Sequence, residues 1–406
     1  MNILSSKLRT EFLACSALVR FDLSDLDNRL QPTLFVKANT LTLKYIIQSQ
    51  LRLHFLPLGD RRLVYALEID DDPTSPIALW SQMETDEEKT CLSSLLEDPL
   101  LHISLFNEPS ANLAWCEVRL AGISSSVAAM IARSEPQLAD PKLKAEIGPQ
   151  LDLLSDPELQ KGAINLPVNL KWQPVDVNYL TTGMRVSTLS LFDRDEGAQQ
   201  EEVAVWIMDS LLGGIPAVRS PQVRLASGIR ELTDVLVSHD KGAFLIESKT
   251  LSLLSRSELP NREKLSRGLR KHVVKAGKQL VGAATSIRQA IRITDAAGVE
   301  LPVLARELLH AIILVPDLNL LADANDFGAE YFRRMTVSLG GGFFNILDPA
   351  ELLSMVQMAE ATSRRLGTVD QIAVLDGLLF FRATISLTKR TPDFRFRLRG
   401  SDEAPE

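Results

Sequence analysis

The sequence predicts an α+β or α/β protein of two domains, a β-rich domain over residues 1–185 and a mixed domain over residues 190–406. The chain has 406 residues, more than one hydrophobic core usually organises. Short apolar segments separated by turn residues fill residues 30–120, whereas helical and strand patterns alternate after residue 195. Charge divides similarly: residues 1–190 carry 17 basic and 24 acidic side chains, and the rest carry 27 and 28.

The first domain is predicted to consist mainly of short strands. Residues 1–21 form a helix or a strand, helices are expected at 124–133 and 141–154, and a connector with three prolines covers 155–186. Strands are predicted within the apolar stretches 34–47, 50–58, 61–70, 76–83, 102–108 and 113–121.

The second domain is predicted to alternate helices and strands around one mixed sheet. A helix at 199–212 precedes a strand at 217–225 and a hairpin of strands 231–238 and 243–249, whose turn is His239-Asp240-Lys241-Gly242. The order helix, three strands, helix, strand is typical of an α/β sheet. Later elements are expected to be a helix at 271–290 after a basic segment, strands at 310–315 and 343–347, a helix at 349–361, a strand pair within 371–387 and a basic tail.

Composition argues against several classes of protein. The net charge of −8 disfavours a protein that coats nucleic acid with its whole surface. Three scattered cysteines fit buried thiols in a reducing cytosol better than disulfides. Because the sequence has no apolar run of about 18 residues and no recognisable signal peptide, it predicts a cytoplasmic protein without a membrane span.

Several familiar chemical motifs do not occur. The five histidines are far apart, and none pairs with a cysteine at zinc-ligand spacing. The P-loop, dinucleotide-binding and nucleophile-elbow patterns are missing. Gly340-Gly341-Gly342 could cradle a phosphate, but a strand follows it, which is more typical of a turn.

One constellation of charged residues remains, formed by Asp234, Glu247 and Lys249. Among the [DE]-x-K tripeptides, only Glu247–Lys249 ends an apolar run typical of a buried strand. Residues two apart on a strand share a face, so Glu247 and Lys249 point the same way, and the hairpin places Asp234 beside them. Buried carboxylates need a neutralising partner. We therefore expect them to bind Mg²⁺ or Mn²⁺, or alternatively to form a structural salt bridge with Lys249.

The segment Asp234…Glu247-Ser248-Lys249 resembles the D…(D/E)-x-K signature of the restriction-endonuclease-like, PD-(D/E)xK, nuclease superfamily. The resemblance covers about residues 195–360, and the nuclease-related (NERD) branch is the nearest analogue. It implies an αβββαβ core with a mixed central sheet and metal-dependent hydrolysis of phosphodiester bonds in nucleic acid, DNA above all. It also implies a setting in bacterial antiviral defence or DNA processing. Thr233 stands where the signature has a proline.

The same resemblance implies roles for individual residues. Asp234 and Glu247 would bind the metal, and Lys249 would contact the attacking water or the phosphorus. A glutamate of the first helix, Glu202 with Glu201 as the fallback, would complete the metal shell. The helix after the E-x-K strand would contribute Gln279.

A basic segment follows the E-x-K strand and supports nucleic-acid binding. Residues 256–292 contain ten basic and two acidic side chains, a local charge of +8. Phosphate neutralisation by such a segment gives affinity that does not depend on sequence, although a solvated helix face is the alternative. The predicted contacts are Arg256, Arg262, Lys264, Arg267, Arg270, Lys271, Lys275 and Lys278.

The remaining expectations concern the tail and possible partners. Arg395, Arg397 and Arg399 alternate with phenylalanines, a pattern typical of an edge strand protected by charge, with a DNA contact as the alternative. The competing interpretation of the second domain is an inactive nuclease-fold module that binds nucleic acid or assembles with protein. The acidic first domain is expected to bind a protein partner or to restrain the basic cleft, and a homo-oligomer is compatible with the sequence.

Overall fold

The protein is an α+β molecule with several mixed sheets, as the sequence predicts at this coarse level. The computed structural model describes residues 6–26, 29–59, 61–72, 75–138, 143–151, 154, 163–212, 215–225, 228–254, 259–303, 308–322 and 327–388. Of these, the residues up to Val177, Ser190–Phe192 and the short stretch ending at Asn261 form one compact unit, and the others form a second.

The first unit combines helices with two β-sheets. Its elements are α1 (Ser6–Ala14), β1 (Leu18–Leu26), β2 (Arg29–Lys37), α2 (Thr40–Gln48), β3 (Leu51–Leu58), β4 (Arg62–Ile69), β5 (Ile77–Gln82), α3 (Asp86–Glu97), β6 (Leu100–Phe106), β7 (Asn112–Arg119), α4 (Ser125–Arg133), α5 (Leu143–Leu151), β8 (Ile164–Asn165) and β9 (Gln173–Pro174). The strand orders are β1-β2-β6-β7-β9 and β5-β4-β3-β8.

Two helices of the first unit differ from the sequence prediction. The predicted strand at 34–47 ends at Lys37, because the Asn39 side chain accepts the backbone N–H of Thr42 and starts α2. Periodicity could not separate the two states, since the residues of this short run are buried on all sides. Helix α3 was not predicted, although Thr85 and Glu88 form a capping box at its start.

The second unit is built around a five-stranded sheet. Its elements are β10 (Val177–Leu180), β11 (Val186–Leu189), α6 (Glu196–Leu212), β12 (Ala217–Arg219), β13 (Gln222–Leu225), β14 (Gly228–Glu231), β15 (Val235–His239), β16 (Gly242–Ser248), α7 (Arg262–Arg288), β17 (Ile293–Thr294), β18 (Leu308–Leu314), a 3-10 helix (Leu318–Leu321), α8 (Ala329–Ser338), β19 (Phe343–Leu347), α9 (Pro349–Leu366) and α10 (Gln371–Ser386). The large sheet has the order β12-β15-β16-β18-β19, and a small sheet has the order β14-β13-β17.

Helices lie on both faces of the large sheet. Strands β12, β15 and β16 are antiparallel, and β18 and β19 run parallel to β16. On one face, Phe344 contacts the ring of Tyr331 in α8, and a Cβ placed at Gly277 of α7 would lie 2.9 Å from the Tyr331 hydroxyl. On the other face, Phe343 packs edge-on against Phe380 of α10. The first face therefore carries α7 and α8, and the second carries α10.

The predicted strand pair within 371–387 is wrong, because these residues form α10. Its buried residues Ile372, Leu375 and Leu379 recur every three or four positions, which is the period of a helix. Arg382 is fully buried and donates to the carboxylate of Glu351 at 3.0 Å and to a backbone carbonyl of β19 at 3.1 Å. The apolar character of the run concealed the helical spacing.

Two further elements are placed differently from the prediction. The strand at 217–225 splits in two, because Ser220 has a φ of +49° and Pro221 has no N–H to donate, so that β12 and β13 join different sheets. Helix α7 begins at Arg262 rather than at 271, because Leu265 and Leu269 continue its buried stripe. The basic segment is thus part of the helix instead of leading into it.

Two predicted strands are confirmed, and several predicted residues lie outside the described part of the chain. The strands at 310–315 and 343–347 occur as β18 and β19 with nearly the same limits. The tail residues Arg395, Arg397 and Arg399 lie outside the described residues, as does Arg256. Among the helices of the described ranges, none combines the length and apolar character needed to cross a membrane.

Candidate active site

The antiparallel strands β15 and β16 bring Asp234, Glu247 and Lys249 together at one end of the large sheet. Val235 pairs with Ile246, so Asp234, just before β15, lies beside Glu247. The backbone N–H of Ser248 donates to Asp234 Oδ2 at 2.6 Å and fixes this carboxylate. The backbone N–H of Lys249 donates to the carbonyl of Leu314 at 2.9 Å, which fixes the chain beyond β16.

The ammonium of Lys249 links the two carboxylates. Its Nζ lies 2.8 Å from Glu247 Oε2 and 3.4 Å from Asp234 Oδ2. Glu247 is only 1% exposed, and burial together with the charge of Asp234 raises its pKa to about 7 despite the nearby Lys249. Burial opposes the charge of Lys249, but Glu247 and Asp234 outweigh it and raise the pKa of Lys249. One ammonium therefore does not neutralise this group of acids.

The donor atoms at this position fit a hard divalent cation. Asp234 and Glu247 offer carboxylate oxygens from neighbouring strands, and burial together with the charge of Asp234 disfavours the ionised form of Glu247, which an added cation would favour. Across the part of the chain that the structure describes, no group of three or more His, Cys, Asp or Glu residues is arranged to hold a metal ion by itself. A cation here would need water or substrate oxygens among its ligands, as Mg²⁺ commonly does.

The two glutamates of α6 have different surroundings. Glu202 is buried, and its carboxylate contacts Arg219 Nη1 at 2.6 Å and the hydroxyl of Tyr179 at 3.0 Å, which ties α6 to the β10–β11 hairpin. Glu201 contacts Arg219 Nε at 2.8 Å. Burial raises the pKa of Glu201 against the effect of Arg219, and the charges of Asp234 and Glu231 raise it further. Glu201, the fallback of the sequence analysis, therefore interacts electrostatically with the Asp234 carboxylate.

Helix α6 is held near the site by a residue that the sequence analysis missed. The side-chain amide of Gln200 donates to the carbonyl of Leu314 at 2.9 Å, the same oxygen that accepts the N–H of Lys249. Glu196 at the start of α6 accepts the backbone N–H of Leu254 at 2.6 Å. No sequence pattern reveals either contact, because each joins α6 to a backbone group that lies far away in the sequence.

One side of α7 lies near the chain that follows Lys249. A Cβ placed at Gly268 would lie 3.9 Å from Leu251 Cδ2, and further along the helix Arg230 donates to Ser286 Oγ at 3.2 Å. Between these points, His272 and Gln279 lie on the same flank, because residues four, seven and eleven apart share a side of a helix. Gln279 lies on the same side of α7 as His272 but two turns further along the helix, and among the described residues no contact joins it to the carboxylates.

His272 is a second residue that the sequence analysis did not select. Partial burial and the charges of Lys249 and Lys275 lower its pKa, so the imidazole close to Lys249 is held in its neutral form. Its spacing of seven residues from Gln279 was the available signal.

The predicted nucleic-acid contacts form a stripe along α7. Lys264, Arg267, Lys271, Lys275 and Lys278 are all exposed and are spaced three or four residues apart, opposite the buried stripe of the helix. Arg267 is paired with Glu263 at 2.5 Å, Arg270 is half-buried, and Arg262 begins the helix. The stripe lies next to the side of α7 that carries His272, whose pKa the charge of Lys249 helps to lower.

Comparison with known proteins does not assign the chain to a family. No family model matches it, and neither a curated protein nor a solved structure matches it. The chemistry of the site follows from its contacts: two carboxylates and an ammonium suited to hold a cation beside a bound anion, next to a row of exposed basic side chains.

Proposed function

We propose that the chain is a metal-dependent nuclease that hydrolyses phosphodiester bonds in nucleic acid, with DNA as the favoured substrate. The observation that carries the proposal is the convergence of Asp234 and Glu247, from neighbouring strands, on the ammonium of Lys249. A buried glutamate with a pKa raised to about 7 at a sheet end is costly to maintain and is typical of a functional site.

Each residue of the site has a role in this proposal. Asp234 and Glu247 would hold Mg²⁺ or Mn²⁺, which when bound lowers the pKa of water and screens charge on a phosphodiester. Lys249 would orient the attacking water and stabilise negative charge that develops around the phosphorus. An acidic residue of α6 would complete the metal shell. The sequence favoured Glu202, whereas the electrostatic interaction with Asp234 favours Glu201.

The order of elements also supports the proposal. Helix α6, strands β12, β15 and β16, helix α7 and strand β18 follow one another in the order that the PD-(D/E)xK resemblance implies, with the small sheet inserted after β12. The carboxylates lie where the antiparallel pair meets the parallel strand β18. The resemblance of the motif to these nucleases further suggests a role in antiviral defence or DNA processing. We also propose a cytoplasmic location, with the first unit binding a protein partner and the chain able to form a homo-oligomer.

A cleavage assay tests the proposal directly. Purified full-length protein and its Lys249→Ala variant are incubated with plasmid and single-stranded DNA in Mg²⁺, Mn²⁺ or EDTA. We expect cutting that requires the metal and falls at least 100-fold in the variant, as for loss of a charge-stabilising group. Lys171→Ala removes an exposed lysine of the first unit and is the matched control. Equal cutting by the wild type and Lys249→Ala, or no cutting by the wild type in either metal, refutes the proposal.

The alternative is an inactive nuclease-fold module that binds nucleic acid or assembles with protein. It is favoured by the ion pairs themselves, since Lys249 contacts both carboxylates as in a structural salt bridge. Salt-sensitive DNA binding without metal-dependent cutting would support this alternative.

A further inference from the structure

The carbonyl oxygen of Leu314 links helix α6 to the candidate site. It accepts the side-chain amide of Gln200, near the start of α6, at 2.9 Å and the backbone N–H of Lys249, also at 2.9 Å. A carbonyl oxygen has two lone pairs, and these two N–H groups occupy both of them. The connection from α6 to the backbone of Lys249 therefore consists of one side chain and one oxygen atom.

The large sheet holds this acceptor in place from both sides. Leu314 is the last residue of β18, is fully buried and pairs with Ser248 of β16 on one side. On the other side it pairs with Leu347 of β19, whose carbonyl accepts the N–H of Val315 at 2.8 Å. Backbone that is hydrogen-bonded inside a buried sheet opens only rarely. The Leu314 carbonyl is therefore a fixed point to which α6 is attached.

The side chain of Gln200 is buried, and the two acids of α6 follow it directly in the sequence. Gln200 is 9% exposed, so little water can reach its amide and replace the bond to Leu314. Glu201 is the next residue, with its Cα about 3.8 Å away, and Glu202 follows. The charge of Asp234 acts on Glu201 and helps to raise its pKa. A displacement of Gln200 would therefore move both glutamates relative to Asp234.

We propose that Gln200 is a positioning residue, which sets the distance from the acids of α6 to the backbone that carries Lys249 and thereby the affinity of the site for a divalent cation. The inference rests on the proposed nuclease function. It holds whichever of Glu201 and Glu202 completes the metal shell, because both belong to the same helix. Side chains that orient metal ligands without touching the metal typically contribute about 10- to 100-fold in metal affinity.

The adjacent residue Gln199 supplies a matched control. Its side-chain amide donates to Asp193 Oδ2 at 3.1 Å, just before α6 begins. Gln199→Met therefore removes a side-chain hydrogen bond from the same helix without touching the bond to the sheet, whereas Gln200→Met removes the bond to Leu314. Both variants should fold, because the net contribution of one hydrogen bond is a small part of the free energy of unfolding.

The test measures Mg²⁺ binding without cleavage. Urea unfolding of the full-length protein at about pH 8 and several Mg²⁺ concentrations gives the affinity of the folded state for the ion. We expect Gln200→Met to bind Mg²⁺ roughly ten-fold more weakly than the wild type and Gln199→Met do. Gln200→Asn keeps the amide on a side chain that is one methylene group shorter. It should fold and also bind Mg²⁺ more weakly, and it decides the question if Gln200→Met does not fold.

The cleavage assay adds a second readout. In Gln200→Met, kcat for DNA cleavage should fall while KM for DNA stays unchanged, because the variant leaves the basic stripe of α7 intact. A role in folding alone would reduce the amount of active protein and leave the Mg²⁺ affinity of the folded molecules unchanged.

The outcomes separate this inference from the nuclease proposal. Equal Mg²⁺ affinity of the wild type and Gln200→Met, an equal loss of affinity in Gln199→Met, failure of Gln200→Asn to fold, or no stabilisation of the wild type by Mg²⁺ overturns the inference. A wild type that cuts DNA while Gln200→Met binds Mg²⁺ equally well leaves the nuclease proposal standing alone. Weaker Mg²⁺ binding by Gln200→Met, in a protein whose wild type never cuts, supports the inference and refutes the nuclease proposal.

Discussion

Glu247→Gln should stabilise the folded protein at alkaline pH and remove the part of its pH dependence that this carboxyl group causes. Burial and the charge of Asp234 raise the pKa of Glu247 from 4.5 to about 7. Between these values the folded state keeps a proton that the unfolded state releases, so the free energy of unfolding falls as pH rises through the window. The shift corresponds to about 3 kcal/mol above pH 7, since each pKa unit is worth about 1.36 kcal/mol. Glutamine keeps the shape without the charge.

Urea unfolding in EDTA between about pH 5 and pH 8 measures this effect. Across this range the wild type should lose roughly 3 kcal/mol more than Glu247→Gln does. Glu360→Gln, which neutralises a glutamate paired with Arg364 on α9, should behave as wild type. Mg²⁺ added near pH 8 should restabilise wild type and leave Glu247→Gln unchanged, because only a binding ligand shifts the equilibrium. Parallel curves for wild type and Glu247→Gln would refute the reasoning.

Four further predictions concern charged residues of the second unit. Arg382→Met should lower the free energy of unfolding by about 3–5 kcal/mol, because it leaves the buried carboxylate of Glu351 unpaired. Chemical denaturation measures this loss, and an unchanged free energy of unfolding would contradict the prediction. Lys271→Ala and Lys278→Ala should each reduce the salt slope of DNA binding by about 1 without changing base preference, which filter binding at several salt concentrations measures. Glu202→Gln should cost roughly 1–3 kcal/mol of stability through lost charged hydrogen bonds. Glu201→Gln should instead reduce the rate of cutting per folded molecule. If Glu202→Gln reduces that rate and Glu201→Gln does not, Glu202 is the metal-shell residue.

The sequence predicted the hairpin that carries the carboxylates because the signal is local. Two short, continuous apolar runs on either side of a turn define β15 and β16, and the spacing of Glu247 and Lys249 fixes their common face. Pairing through a short turn then determines the neighbour of Glu247. The strand β19 could likewise be predicted, because its short apolar run lies between turn residues and a capped helix.

The rest depended on contacts between distant segments. Nothing in the run around Arg382 shows that its guanidinium would be buried against Glu351, and without that information the apolar residues favoured a strand. Glu201 and Glu202 are adjacent in sequence, and only the position of Arg219 and Tyr179 distinguishes their surroundings. The anchoring of α6 by Gln200 depends on a carbonyl more than 100 residues away.

The hydrogen bond from the N–H of Leu232 to the carbonyl of Pro221 joins the chain just before β13 to the chain just after β14. The first residue of β13, Gln222, and the last residue of β14, Glu231, are therefore neighbours. Loops whose ends are close tolerate changes of sequence and length at small entropic cost. We therefore expect substitutions within β13 and β14 to leave the backbone that carries Asp234 in place, since the two strands leave and re-enter the large sheet at neighbouring points.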